Sequence, residues 1–331
     1  MCDSINCGFS NIDEIVGGFQ ASDLVVIGSR PGKGKSTFAK QIALDVAVDN
    51  QTPTMFFSPA ESGMRFAIDL LCLECDRTQS WMEDHPDMVD EVTKDATERF
   101  SCAPLFIDDT PDLKIEDFLF KAKKMVKAKG IRLIIIDYVQ FLRGPEPFRT
   151  NGPREAEMDC VAKSLKTAAE ELKVPIIVLS QLQRGPDRPK MDDITDSKEL
   201  KVLADVVILM HNGIGWDKID GQITGEFIIA KNTHGNIGTV ELTCDLEQGK
   251  FYEEKINDRV TMKAFRITPK RIRRSNGQVL TPEMSVVVST NLSNPFNNGA
   301  KEVAEAYMRI YGFDYKRSCC CKTDFDCVLL G

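Results

Sequence analysis

Long apolar runs are what this chain most plainly lacks. None of its 331 residues falls in a stretch approaching the ~20 consecutive apolar residues that a helix needs to cross a bilayer, so no membrane-spanning role is expected. The N-terminus, MCDSINCGFS, shows no basic segment followed by an apolar one; export is not expected, and the cytoplasm is the default location. A basic excess is missing too. With 42 Lys and Arg against 50 Asp and Glu, a net charge of −8 and a pI near 5.2, the chain is not built to coat nucleic acid by bulk charge, although local contact stays open. There is no internal repeat and no low-complexity tract.

Eleven cysteines are present, but without an export signal they do not read as a disulfide framework, and most are expected to be buried thiols. Helical spacing accounts for Cys72 and Cys75 in CLEC. The adjacent Cys319, Cys320 and Cys321, with Cys327, make poor tetrahedral geometry for zinc. The basic run Lys263, Arg266, Lys270, Arg271, Arg273 and Arg274 reads either as a phosphate contact or as a solvated strand edge.

What remains is a globular composition, 42% hydrophobic and 28% charged, in a chain long enough for one large domain and a small one. Apolar strands (LVVIGS, TMFFS, PLFID, RLIIID, PIIVLS, DVVILM, EFIIAK, TVELTC) alternate with helices expected at 36–48, 63–75, 87–100, 115–129 and 154–172. That order predicts an α/β fold with a mainly parallel sheet flanked by helices. Beyond about residue 250 the pattern changes to an expected hairpin in AFRITPKRIRRSNGQ, turning at Asn276-Gly277, then a strand, MSVVVST, and a helix at 301–310. The division is residues 1–255 as the main domain and 256–331 as a small appended α+β module.

The chemistry begins in VVIGSRPGKGKSTFAKQIAL. A phosphate-binding loop needs backbone N–H groups at a helix N-terminus, a lysine for phosphate charge and a hydroxyl for Mg²⁺. Gly32, Gly34, Lys35 and Ser36 meet those needs, while Ser29 stands where the pattern has its first glycine. Asp137, ending RLIIID, sits where a strand-end carboxylate holds Mg²⁺ through water. Glu61, past FFSPA, is a candidate base or water-positioning group, and Gln181, ending PIIVLSQ, a candidate phosphate sensor. For both, an exposed loop residue is the plain alternative.

Taken together, GFSNIDEIVGGFQASDLVVIGSRPGKGKSTFA, FFSPAES, IIIDYVQFL, REAEMDCVAKSLKTAAEELKVPIIVLSQLQR, DDITDSKELKVLADVVILM and IIAKNTHGNIGTVELTCD resemble the RecA-fold ATPase domain of the DnaB-type replicative helicases, over residues 8 to 255. The resemblance implies a RecA-like P-loop NTPase core and a ring, usually hexameric, with ATP between subunits and single-stranded DNA in the channel. It implies that Gly32, Lys33, Gly34, Lys35, Ser36 and Thr37 bind phosphates, that Ser36 and Asp137 serve Mg²⁺, that Gln181 reports nucleotide state, and that Lys231 reaches the neighbouring site. Loops 143–154 and 183–194 would face DNA, with Arg184, Arg188 and Lys190 as phosphate contacts.

Three departures stand beside the likeness. The family has a leucine and then its glutamate directly after the serine of FFS, whereas this chain has Pro59, Ala60, Glu61. Thr233 replaces the arginine of the family's K-x-R-N-G. The helical N-terminal domain that meets primase is not expected, so loading partners would differ. The expected function is an ATP-dependent DNA helicase; the alternatives are a nucleotide-gated DNA-binding or scaffold ring with weak hydrolysis, and a RecA-type recombinase.

Overall fold

The computed structural model describes residues 4–146, 148, 153–185, 188–195, 197–211, 222–245, 249–253, 263–275, 278–290, 296, 301–313 and 324–330. Packing divides the chain into two compact units, Met1–Glu253 and Glu254–Gly331.

The first unit opens with α1 (Ser10–Val16), β1 (Leu24–Ser29) and α2 (Lys35–Ala43), which runs on as a π-helical turn to Asp49. There follow β2 (Thr54–Phe57), α3 (Gly63–Glu74), α4 (Gln79–Asp84), α5 (Pro86–Cys102), β3 (Leu105–Asp108), α6 (Ile115–Lys129) and β4 (Leu133–Ile136). The unit closes with α7 (Arg154–Leu172), β5 (Ile176–Gln181), α8 (Lys198–Leu203), β6 (Val206–His211), β7 (Gln222–Asn232), β8 (Gly238–Asp245) and β9 (Phe251–Tyr252). These strands form one sheet in the order β3-β2-β4-β5-β1-β6-β7-β8-β9. From β3 to β6 neighbours are parallel, and β7 to β9 extend the edge as an antiparallel meander.

Parallel strands covered on both faces read as continuous apolar runs, because alternate side chains enter two different cores. In β1, Val25 and Ile27 join the core containing α2, and Leu24 and Val26 join the core under α6 and α7. The helix α2 is fixed through Phe38, whose ring lies 4.8 Å from Phe9, 4.7 Å from Phe227 and 5.7 Å from Phe251. Pinning one helix from three directions holds the loop that precedes it.

The second unit contains β10 (Lys263–Pro269), β11 (Arg273–Ser275), β12 (Gln278–Leu280), β13 (Val286–Thr290), α9 (Lys301–Tyr311) and β14 (Phe325–Leu330). Three of these strands make an antiparallel sheet in the order β13-β10-β14, and β11 pairs separately with β12. Val303, Ala306 and Tyr307 of α9 pack into the small core. The strands on either side of Asn276-Gly277 pair as the hairpin expectation requires, β11 with β12 and Ser275 opposite Gln278, but the AFRITP segment is not part of that hairpin: as β10 it pairs with β13 and β14. Asn276 and Gly277 lie outside the described residues. Two residues of the basic run are engaged within the unit, since the exposed Arg271 and the half-buried Arg273 both donate to the buried Asp324.

The cysteines also differ from expectation. Of the seven described, Cys7 and Cys244 are buried, Cys72, Cys75 and Cys160 half-buried, and Cys102 and Cys327 exposed; all are free thiols. Burial pushes the Cys244 thiol up to about 11, with Asp245 adding to the shift. Cys319, Cys320 and Cys321 lie outside the described residues. No described helix is long and apolar enough to cross a membrane.

Candidate nucleotide site

Three strand ends meet at one edge of the sheet. Ser29 of β1 lies in register with Gln181 of β5, and Asp137 directly follows β4 on the other side of β5, donating its amide N–H to the Phe57 carbonyl at 2.9 Å. The carboxyl ends of a parallel sheet at a strand-order switch are where such folds leave a crevice for a ligand.

Between β1 and α2 the chain must turn back sharply. Gly32 and Gly34 do this with φ of +71° and +78°, values that cost an L side chain strain. A Cβ at Gly34 would also sit 2.8 Å from the Phe251 ring, whereas no heavy atom lies within 4 Å of one at Gly32. Glycine is thus demanded at Gly34 on two grounds, and the loop is open on the Gly32 side. Ser29 is not among the residues of positive φ; it ends the strand fully buried, its hydroxyl donating to the Arg30 carbonyl at 3.1 Å. The missing first glycine is accounted for, because no glycine conformation is required there.

Lys35 opens α2 with its ammonium 4.6 Å from the centre of the Tyr138 ring. Burial lowers its pKa, and the Asp137 charge opposes that shift. Asp137 is 5% exposed. Burial raises its carboxyl above the ordinary range, against a hydrogen bond from Ser36 and the charges of Lys35 and Lys40. Its Oδ1 has no hydrogen-bond partner among the described residues. An orphaned buried carboxylate oxygen is costly unless a cation completes it. With the Ser36 hydroxyl on one oxygen and the other unsatisfied, the donor set is that of a hard, oxygen-preferring cation such as Mg²⁺.

Of the other candidates, Gln181 is exposed at the strand end. Gln140, which sequence reasoning passed over, clamps it: Gln140 Nε2 donates to Ser180 Oγ and to the Gln181 carbonyl, each at 3.3 Å. Its position three residues after Asp137 was the available signal. Glu61 lies in the β2–α3 loop, 2.7 Å from Lys40 Nζ. Lys33 lies in the loop between Gly32 and Gly34, and Thr37 in the first turn of α2. Lys231 lies toward the other end of the sheet, in register with Val207 near the start of β6, and its Nζ donates to the carbonyls of Lys201 and Val202 at the end of α8. Burial lowers its pKa too, against the charge of Asp205.

In the β5–α8 loop, Arg184 and Lys190 are exposed. Arg188 is exposed as well, but pairs with Glu226 of β7 at 2.8 Å and donates to Thr239 Oγ1 at 2.9 Å. A second overlooked residue ties this loop to the phosphate loop: Arg30 Nη1 donates to the Gln183 carbonyl at 2.8 Å. Of the other expected DNA-facing loop, residues 147 and 149–152 lie outside the described residues.

A glycine loop ending a central parallel strand, with an acidic strand end two strands away, is the arrangement of the RecA-like fold. The chain belongs to the family of DnaB-like helicase C-terminal domains, whose model matches residues 4–253. Residues 262–327 match a second family, DUF6140, of unknown function. The chain is 34% identical over 256 residues to the replicative DNA helicase DnaB of Geobacillus stearothermophilus, covering 75% of this chain and 56% of that protein. It is 32% identical over 259 residues to the replicative DNA helicase DnaC of Bacillus subtilis (strain 168), again covering 75% and 56%. Among solved structures, one isolated ATPase domain superposes with a TM-score of 0.70 at 25% identity, covering 77% of this chain and 92% of that one. A DnaB-like replicative helicase, solved in a study of its interactions with primase, superposes with a TM-score of 0.69 at 25% identity, covering 76% and 62%. The chain thus spans a little over half the length of the curated relatives it matches.

Proposed function

We propose that this chain is the ATP-hydrolysing motor of a DnaB-like DNA helicase, acting as a hexameric ring on single-stranded DNA. The observation that carries the reading is the meeting of Lys35, Ser36 and the unsatisfied Asp137 Oδ1 at the mouth of a glycine loop. In this reading Gly32, Lys33, Gly34, Lys35, Ser36 and Thr37 hold the phosphates of ATP through backbone N–H groups, and Ser36 and Asp137 hold Mg²⁺. The metal would supply neutralisation of the phosphate charge. Glu61 is assigned as the base and Gln181 as the reporter of the γ-phosphate, clamped to the end of β5 by Gln140. Lys231 is assigned to the neighbouring subunit's site. Arg184 and Lys190 are assigned to DNA phosphates, and Arg188 must exchange Glu226 for a phosphate to join them.

The motor is assigned to residues 1–255, with 256–331 as an appended module. Loading and replication proteins are the partners that go with such a motor, and the cytoplasm is the location that goes with its substrate.

The test is the rate of ATP hydrolysis with and without single-stranded DNA, read beside the solution mass with and without nucleotide. DNA-stimulated turnover by a nucleotide-bound ring supports the motor. A second reading, a nucleotide-gated ring with slow hydrolysis, is favoured by Thr233 in place of an arginine. A ring that binds DNA with nucleotide but shows no stimulation would select it.

A further inference from the structure

Lys40 stands one helical turn beyond Ser36 on α2, so the two side chains share a helix face. Its side chain is only 4% exposed, and its ammonium donates to Glu61 Oε2 and Asp69 Oδ2, each at 2.7 Å. It also lies 5.1 Å from the centre of the Phe66 ring. The phosphate-loop pattern asks for no charge at this position, and the rest of the buried face of α2 is apolar: Phe38, Ala39, Ile42 and Ala43. A lysine ammonium buried there is tolerated only when carboxylates compensate it.

The two carboxylates are not equivalent. Asp69 has a second cation, Arg65, whose Nε is 3.1 Å away. Glu61 is held by Lys40 alone among the described residues. The main chain around Glu61 is already fixed. Its amide donates to the Ser58 carbonyl at 3.2 Å, Ser62 caps α3 by accepting from the Arg65 amide at 3.3 Å, and the Gly63 amide donates to Asp109 Oδ2 at 2.8 Å. What the backbone leaves undetermined is where the Glu61 carboxylate points, in a loop where Pro59 and Ala60 precede it. The ammonium decides that.

We infer that Lys40 is a positioning residue that anchors the Glu61 carboxylate on the phosphate-loop helix, one turn beyond Ser36. The inference rests on the reading of Glu61 as the base. Without Lys40 the glutamate is free to swing into solvent, and displacement of a reacting group by about 1 Å can cost up to about 100-fold in rate.

The experiment is a double-mutant cycle on DNA-stimulated ATP hydrolysis using Lys40→Met, Glu61→Gln and the combination, with nucleotide affinity measured for each and Lys40→Arg as the conservative variant. The expected result is a fall in kcat of about 10-fold or more in Lys40→Met with KM nearly unchanged, partial recovery in Lys40→Arg, and no further loss when Lys40→Met is added to Glu61→Gln. Additive losses, or a wild-type kcat in Lys40→Met beside a slow Glu61→Gln, overturn the inference and leave the base assignment standing. A wild-type rate in Glu61→Gln overturns both. If Lys40→Met fails to fold, Asp69→Asn decides: it leaves Lys40 entirely to Glu61, so kcat is expected to hold or rise, and a fall overturns the inference.

Discussion

Lys231 Nζ donates a 2.7 Å hydrogen bond to the carbonyl of Val202, so the lysine assigned to a neighbouring subunit caps α8 within its own chain. Two residues on, Thr233 is exposed, its amide N–H donating to the Asp205 carbonyl at 3.0 Å. The strand end is anchored, and the side chain at 233 faces away from its own core. An arginine there would add a planar fork of donors that lysine lacks. Thr233→Arg is expected to raise DNA-stimulated turnover without tightening ATP affinity, the pattern of an interaction made mainly in the transition state. An unchanged rate in a nucleotide-bound ring would remove position 233 from the subunit boundary.

Lys35→Ala removes the positive charge at the mouth of the loop but leaves Gly32 and Gly34 to set the backbone. Loss of tight ATP binding is expected with little change in Tm, because the buried face of α2 is untouched. Calorimetric titration with ATP checks this, and wild-type affinity would defeat the phosphate-loop assignment.

Asp137 supplies a pH signature. Burial raises its carboxyl above the ordinary 3.8, so the folded chain keeps a proton over a window in which the unfolded chain has lost it. Stability of the nucleotide-free protein from this group therefore falls as pH rises through that window, starting near 3.8. Asp137→Asn should flatten this part of the Tm-versus-pH curve and abolish the Mg²⁺ dependence of nucleotide affinity. Retained Mg²⁺ dependence in Asp137→Asn would show that the metal is held elsewhere.

In the second unit, the buried Asp324 accepts from both Arg271 and Arg273 and its carbonyl accepts from the Lys270 amide at 2.8 Å. Asp324→Asn keeps the shape but removes the charge that holds the two arginines, a loss of about 2 kcal/mol for charge-assisted bonds to a buried group. Faster hydrogen exchange in β10 is the expected readout. Unchanged protection would mean that the arginines are held by other groups.

The parallel order of the first unit was legible because each strand from LVVIGS to DVVILM is apolar on both faces, which only a doubly covered sheet requires. The glycine turn after β1 was legible because its signal is local: Gly32 and Gly34, both at positive φ, run directly into Lys35 and Ser36 at the start of α2. The π-helical run from Leu44 to Asp49 was not, since apolar periodicity does not distinguish it from a continuing α-helix.

Pairings between residues distant in sequence needed the tertiary structure. Nothing local indicates that β10 takes β13 and β14 as neighbours, that Arg188 is bound by Glu226, or that Lys231 caps α8, because these depend on which strands and helices lie side by side. The sequence by itself determined the turn at the end of β1, through the order of glycines, lysine and hydroxyl along it. Only the fold decided the partner of each carboxylate: it brought Asp137 to the Ser36 hydroxyl across β5 and drew Glu61 to Lys40, since charge and hydrogen bonding act through space rather than along the chain.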